Sequence, residues 1–281
     1  MLRVWLVEFE NENLSIDSMK IAIFSDNFYP EMSGISDSIL SLAKELAARG
    51  HTIVFYVPRY ARRDFAISKL PFRELDLGEN IKIFRLFSLP YKAAPTKQGR
   101  LVLPILSSYR HIKKFDPDIL YTQLFFGAGL EALFLSRLLK KPIVGTNHTP
   151  LLEFLKYAPV RWKWLEKAGM SYVNWYYRHC VFVSAPCRAL LAEMEAFGFR
   201  TKSLVLSNPL ELSNFSPSQS LAEKARLKKK FGLSPHTLLY TGRLAQEKNI
   251  DVVFRAMALV KQTVPDISCA ITGHGSAEAS L

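Results

Sequence analysis

The stretch "KIAIFSDNFYPEMSGISDSILSLAKELAARGHTIVFYVP", Lys20 to Pro58, changes its apolar period twice, and that change decides the fold class. "KIAIFS" is a short apolar run of the kind that forms a buried strand. The polar loop "DNFYPEMSG" follows. Ile39, Leu42, Ala43 and Leu46 then recur at helical spacing, and Gly50 supplies a C-terminal stop. "HTIVFYVP" returns to an unbroken apolar run. Two strands joined by a helix form a βαβ unit, which favours a parallel sheet covered by helices.

The same alternation continues outward. Further strand candidates are "IKIFRLF", "DILYTQLFF", "PIVGTNHT", "CVFVSAP" and "KSLVLSNP", with helical patterns between most of them. A second unit begins near Asn208. In it "SLAEKARLKKKFG" has Ser220 and Glu223 at capping-box spacing and ends at Gly232. The strand "TLLYTG", the helix "IDVVFRAMALVKQ" and the strand "DISCAITGHG" complete one more βαβ unit. The expected division is an extension over residues 1–18, a first Rossmann-like α/β domain over 19–207 and a partial second one over 208–281. A lone βαβ unit leaves sheet edges and helix faces uncovered, so another ~100 residues are expected to belong to the second domain. "MLRVWLVEFENENLSIDS" turns acidic where a secretion signal would stay apolar, and Met19 before "KIAIFS" reads as a natural beginning for the first buried strand, with residues 1–18 either an extension or the product of an upstream start codon chosen in error.

The chain has 281 residues, 49% hydrophobic and 22% charged, a composition that excludes a disordered protein. No apolar run approaches the roughly 18 residues of a membrane span. The most apolar region, Asp118 to Leu139, is interrupted by Gln123, Glu131 and Arg137. Cys180, Cys187 and Cys269 lack metal-site spacing, which suits a reducing cytoplasm and buried small side chains. The net charge of +12 calls for an anionic partner. Nucleic acid, an acidic membrane leaflet and phosphate-bearing substrates all qualify, and charge does not choose among them.

Five motifs bear on chemistry. "GAGLEA", Gly127 to Ala132, fits the dinucleotide fingerprint G-x-G-x-x-A, but the next strand ends without the acidic residue that would hold a ribose. Close helix–strand packing accounts for its glycines. "DPD", Asp116 to Asp118, reads as a turn into a strand rather than a metal-binding pair. "RWKWLEKAGMSYVNWYYRH" mixes Trp162, Trp164, Trp175, Tyr176 and Tyr177 with Arg161, Lys163, Lys167 and Arg178. That mixture suits a membrane interface or stacking on nucleic acid; an amphipathic helix with core aromatics has the same pattern. His148 ends the strand "PIVGTNHT" with Asn147 and Thr149 beside it, at the edge where open parallel sheets bind ligands. His274, between two glycines, holds a comparable place. "YTGRLAQEKNIDVVFRAM", from Tyr240, puts Arg243 and Lys248 where a strand hands over to a helix. A helix N-terminus with two cations suits a phosphate or diphosphate, and a solvated basic loop has the same residues.

Taken together, the motifs resemble the retaining glycosyltransferases of family four, whose GT-B fold faces two Rossmann-like domains across a cleft. The opening unit carries the family's "YP…SG" loop and "L…RGH". "FDPDILYTQ" matches its "PD" strand and "PIVGTNHT" its "T.H" strand. "SNPLELSNF" is similar to its linker, "YTGRLAQEKNIDVVFRAM" to its "GRL…K", and "ITGHG" to its "G.G". The resemblance covers Met19 to Leu281.

The resemblance implies transfer of a sugar from a nucleotide-diphosphate donor with retention of configuration, by front-face attack assisted by the leaving group. No cofactor or metal is implied; the nucleotide sugar is a substrate. Arg243 and Lys248 match the diphosphate-binding cations, and Gly34 the glycine loop that lets backbone approach the donor. His148 matches the histidine near the transferred sugar. Gly273 and Gly275 match the donor-side "G.G". The "YP…SGIS" loop looks most like the branch acting on diacylglycerol or other lipids, which implies peripheral contact at the inner face of the cell membrane and no nucleic-acid partner. The chain departs from the pattern at Ile35, Cys180, Cys187 and Leu210. It also stops before the family's E-x7-E segment, so the 281 residues alone are expected to be inactive. The alternative is a non-catalytic binding module lacking half of the donor site.

Overall fold

A computed structural model describes residues 18–31, 33–91, 96–155, 162–210, 220–275 and 277–281. Most of the N-terminal extension and residues 211–219 of the expected linker lie outside the described residues.

Strand β1 (Lys20–Phe24), helix α1 (Gly34–Ala48) and strand β2 (Thr52–Pro58) form the expected unit. The two strands pair in parallel from Lys20↔Thr52 to Phe24↔Tyr56. The α1 N-terminus is capped by Ser33, whose Oγ accepts from the Ser36 N–H at 3.1 Å. Gly50, at φ +91°, lets the chain leave the helix in a conformation other residues resist.

The remaining elements are α2 (Arg62–Ile67), β3 (Ile81–Leu86), β4 (Ser88–Pro90), β5 (Arg100–Val102), α3 (Tyr109–Phe115) and β6 (Ile119–Thr122). They continue with α4 (Gly127–Leu139), β7 (Ile143–Thr146), α5 (Leu151–Leu155), α6 (Lys163–Tyr177), β8 (Phe182–Ala185), α7 (Arg188–Ala196) and β9 (Ser203–Val205). Seven strands lie in the order β3-β2-β1-β6-β7-β8-β9 and every pairing is parallel. The antiparallel β4–β5 pair stands apart and has no counterpart in the sequence reading.

Strand alternation builds two cores from one sheet. Ala22, Phe24, Val54, Tyr56 and Leu120 face one way and pack with Ala128, Ala132, Tyr176 and Tyr177 of α4 and α6. Ile21, Ile23, Ile53, Phe55 and Val57 face the other way, with Ile39 and Ala43 of α1. Successive side chains of a strand point to opposite faces, so an apolar run with no polar alternation is what a doubly covered sheet requires. Each large side chain fully buried there contributes about 1.5–3 kcal/mol.

The second unit comprises α8 (Leu221–Lys230), β10 (Thr237–Thr241), α9 (Ile250–Val260) and β11 (Ser268–Thr272). Ser220 caps α8 by accepting from the Glu223 N–H at 3.1 Å. Strands β10 and β11 pair in parallel from Thr237↔Ser268 to Thr241↔Thr272. Both sheets therefore belong to the α/β class with parallel strands. Cys180 is buried as expected, and burial pushes its thiol up to about 12; Cys187 is instead exposed, at the start of α7.

Candidate functional site

In the first sheet, chain order reverses where β1 sits between β2 and β6. Ligands of open parallel sheets bind beyond the strand C-termini at such a reversal. The segments leaving β1, β6 and β7 there carry Asp26, Gln123 and His148.

His148 Nε2 lies 2.8 Å from Gln123 Oε1. Burial pulls the imidazole down to about 4, so the ring is neutral near pH 7. Its Nδ1 is buried and has no hydrogen-bond partner among the described residues. The neighbouring Asn147 turns inward instead: its Oδ1 accepts from the Thr149 N–H at 3.0 Å and its amide nitrogen reaches Met194 Sδ at 3.2 Å. Asn147 is thus structural, and His148 alone of that polar cluster retains an unmatched polar atom.

Asp26 is buried, and burial raises its carboxyl to about 6. Its Oδ1 accepts from the Ala128 N–H at 2.8 Å, so the α4 N-terminus already holds an acidic side chain. That contact answers the "GAGLEA" question. A Cβ at Gly127 would lie 1.9 Å from Val102 O, and one at Gly129 would lie 2.0 Å from Leu124 O. Close packing demands both glycines.

Gly34 differs. A Cβ added there meets nothing within 4 Å, and its side faces solvent at the first turn of α1. Neither packing nor backbone strain calls for glycine at this position.

"DPD" lies at the opposite, N-terminal edge of the sheet. Asp116 ends α3 in the left-handed region at φ +51° and pairs with Lys141 at 2.9 Å, which holds its carboxyl below the usual range. Asp118 Oδ2 accepts from the Lys20 N–H at 2.7 Å. Both carboxylates are occupied in a turn.

In the second unit, Arg243 and Lys248 lie on the segment from β10 to α9. Arg243 is half-buried and Lys248 exposed, in a short 3-10 turn over Gln246–Lys248. Asn249 starts α9 from the left-handed region at φ +49° and places no side-chain cap on the helix. Gly273 and Gly275 come together with this loop. The Gly242 N–H donates to Thr272 O and the Leu244 N–H to His274 O, each at 3.0 Å. A Cβ at Gly273 would lie 1.8 Å from Gly242 O, and one at Gly275 would lie 1.9 Å from Leu244 O. The two exit loops therefore pack backbone to backbone, a reason for the glycines that spacing did not reveal. The His274 side chain is exposed and faces Glu278 at 3.3 Å.

The expected site residues thus form two groups: Gly34 and His148 at the first sheet's C-terminal edge, and Arg243, Lys248, Gly273 and Gly275 around the β10–α9 loop. Sequence reading missed Asp26 and noticed Gln123 only as a polar interruption.

The aromatic segment around α6 divides by face. Tyr176 and Tyr177 are buried, with hydroxyls donating to Gly129 O and Thr146 O at 2.8 Å. Trp162 and Trp164 are 54% and 61% exposed and stack at 5.5 Å. Helix α6 connects parallel strands, so it runs back from the C-terminal edge, and these two rings sit at the same edge as His148. Among the described residues, no helix is long and apolar enough to cross a membrane.

A family model, Glycosyltransferase Family 4, matches residues 32–214. The chain belongs to that family. A second family model, Glycosyl transferases group 1, matches residues 222–281. The alpha-monoglucosyldiacylglycerol synthase of Streptococcus pneumoniae is 26% identical over 92% of this chain and 56% of its own length. The synthase of the same name from Acholeplasma laidlawii is 23% identical over 92% of this chain and 64% of its own. A GDP-mannose-dependent alpha-mannosyltransferase of Corynebacterium glutamicum is 22% identical over 84% and 54%. The chain therefore spans 54–64% of the length of these curated relatives.

Among solved structures, HepE of Anabaena in complex with UDP and glucose superposes with a TM-score of 0.57 at 16% identity, covering 92% of this chain and 62% of that one. The catalytic domain of starch synthase IV from Arabidopsis thaliana, bound to ADP and acarbose, gives 0.52 at 12% identity over 91% and 68%. These likenesses are of fold, and the fold of this glycosyltransferase family member is GT-B.

Proposed function

We propose that this chain serves transfer of a sugar from a nucleoside-diphosphate donor, with retention of configuration, to a membrane lipid acceptor such as diacylglycerol. The observation that carries the donor reading is the β10–α9 loop. It presents Arg243, Lys248 and an α9 start without a side-chain cap, braced by Gly273 and Gly275. Two cations at a helix N-terminus stabilise the charge that builds on a departing diphosphate. Gly34, glycine without a structural need, is the proposed place where first-domain backbone approaches the donor. His148, neutral and holding a lone pair, is the group proposed to lie against the transferred sugar.

The lipid acceptor draws on the similarity to the diacylglycerol glucosyl-synthase relatives, the net charge of +12 and the exposed Trp162–Trp164 stack. Ring and cation together suit a membrane interface. Contact is proposed to be peripheral, at the cytoplasmic leaflet.

Titration of the 281-residue chain with UDP, GDP and ADP tests the donor reading. At least one should bind, and Arg243→Ala and Lys248→Ala should each weaken binding about 10- to 100-fold, the scale of a lost charge-assisted hydrogen bond. Binding that survives both substitutions unchanged, or no binding of any of the three, overturns it.

A further inference from the structure

Gln123 and His148 leave β6 and β7, which are hydrogen-bonded neighbours. Gln123 is 1% exposed, and its backbone N–H donates to Phe24 O at 2.9 Å, so strand pairing fixes where its side chain starts. The side-chain Oε1 lies 2.8 Å from His148 Nε2. An amide oxygen can only accept, so Nε2 must carry the hydrogen. A neutral imidazole has a single N–H, which leaves Nδ1 as a bare lone pair. The ring is neutral at pH 7 because burial holds it at about 4.

Two atoms of this pair are then unmatched. His148 Nδ1, an acceptor, and Gln123 Nε2, a donor, are both buried and without partners among the described residues. Leaving a buried polar group unpaired is unfavourable, and protein interiors seldom tolerate two together. At the C-terminal edge of the sheet, an acceptor such as Nδ1 suits a hydroxyl-bearing ligand, since a hydroxyl can donate to it.

We propose that Gln123 is a positioning residue, holding His148 as the Nε2–H tautomer so that Nδ1 faces the substrate as a hydrogen-bond acceptor. The role of that acceptor rests on the reading of His148 given above; the tautomer does not, and is measurable without donor or acceptor.

The test is long-range proton–nitrogen NMR of the 281-residue chain carrying nitrogen-15 histidine at pH 7, with the His148 signals assigned through His148→Phe. The expected spectrum has a protonated, pyrrole-type Nε2 and an unprotonated, pyridine-type Nδ1. Gln123→Glu, which keeps an acceptor oxygen, should preserve that pattern. Gln123→Leu, of similar size without an acceptor, should shift the Nδ1 signal toward the pyrrole type as the other tautomer becomes populated. An Nδ1–H tautomer in the unsubstituted chain overturns the proposal, and so does a His148 spectrum unchanged by Gln123→Leu. If that variant fails to fold, the unsubstituted spectrum and Gln123→Glu still decide. Failure of nucleoside diphosphate binding would count against the proposed function and leave this assignment standing, because the two readouts concern different residues.

Discussion

The seven-stranded sheet and the β10–β11 unit repeat the same strand–helix–strand grammar, yet they bury their residues very differently. In the first, β2 is buried over six consecutive residues, Ile53 to Pro58. In the second, Leu238 is 40% and Leu239 65% exposed, and the buried apolar residues described are Leu244, Ala245 and Ile250. A parallel strand is stabilised by what covers its two faces, more than by its own ladder. The first sheet has α1 on one side and α4 and α6 on the other. The described part of the second is held chiefly where the β10 and β11 exit loops meet, which is also where its candidate site residues lie. Stability and candidate chemistry are thus separable in the first region and superposed in the second.

The largest expected effect comes from emptying the first core. Tyr177 is fully buried, its ring packs where Gly145 leaves room, and its hydroxyl donates to Thr146 O. Tyr177→Ala should cost about 3–5 kcal/mol in urea unfolding, whereas Leu239→Ser should stay within about 0.5 kcal/mol. Equal costs would break the comparison.

Next is the pH dependence from Asp26, whose carboxyl stands at about 6 against an ordinary 3.8. Between those values the folded state binds more protons than the unfolded one, so stability falls as pH rises from about 4 to about 6, by on the order of 3 kcal/mol. Asp26→Asn keeps an acceptor for the Ala128 N–H and should remove that contribution. His148 contributes the opposite sign. Its folded value of about 4 lies below the ordinary 6.5, so its stabilisation is complete above 6.5 and lost as pH falls toward 4. The two slopes oppose each other in the parent chain, and Asp26→Asn should expose the histidine's.

Gly273→Ala sharpens the contrast further. With φ at +145° and a backbone oxygen 1.8 Å from the new Cβ, it should cost about 1–3 kcal/mol. Hydrogen exchange should locate the loss in β10 and β11 and leave β1 and β2 protected. Gly34→Ala, with open space around it, should leave stability unchanged while weakening nucleotide-sugar binding.

Trp164→Ala should likewise stay within about 0.5 kcal/mol in stability. Its readout is flotation with anionic and neutral vesicles, where it should lower binding. Binding of the parent chain to neither vesicle would remove the basis for a lipid acceptor.

Much of the first region was legible because local chemistry dictates it. Gly50 marks a helix stop, "KIAIFS" and "HTIVFYVP" are short apolar runs of the length of strands covered on both faces, and the order of units sets a parallel sheet. The "DPD" turn was legible for the same reason, since Pro117 acts on its own neighbours. The β4–β5 pair was not, because three-residue strands carry too little pattern. Asp26 was invisible because its helix partner is Ala128, far along the chain.

The sequence by itself determined the α/β class, the succession of units and the cations at a strand-to-helix handover, all properties of residues close in the chain. Tertiary structure alone decided which glycines are crowded and which is open, and which histidine nitrogen lacks a partner. It also decided that Gln123, noticed only as an interruption, touches His148. Those are distances between residues that the chain separates and the parallel sheet brings together.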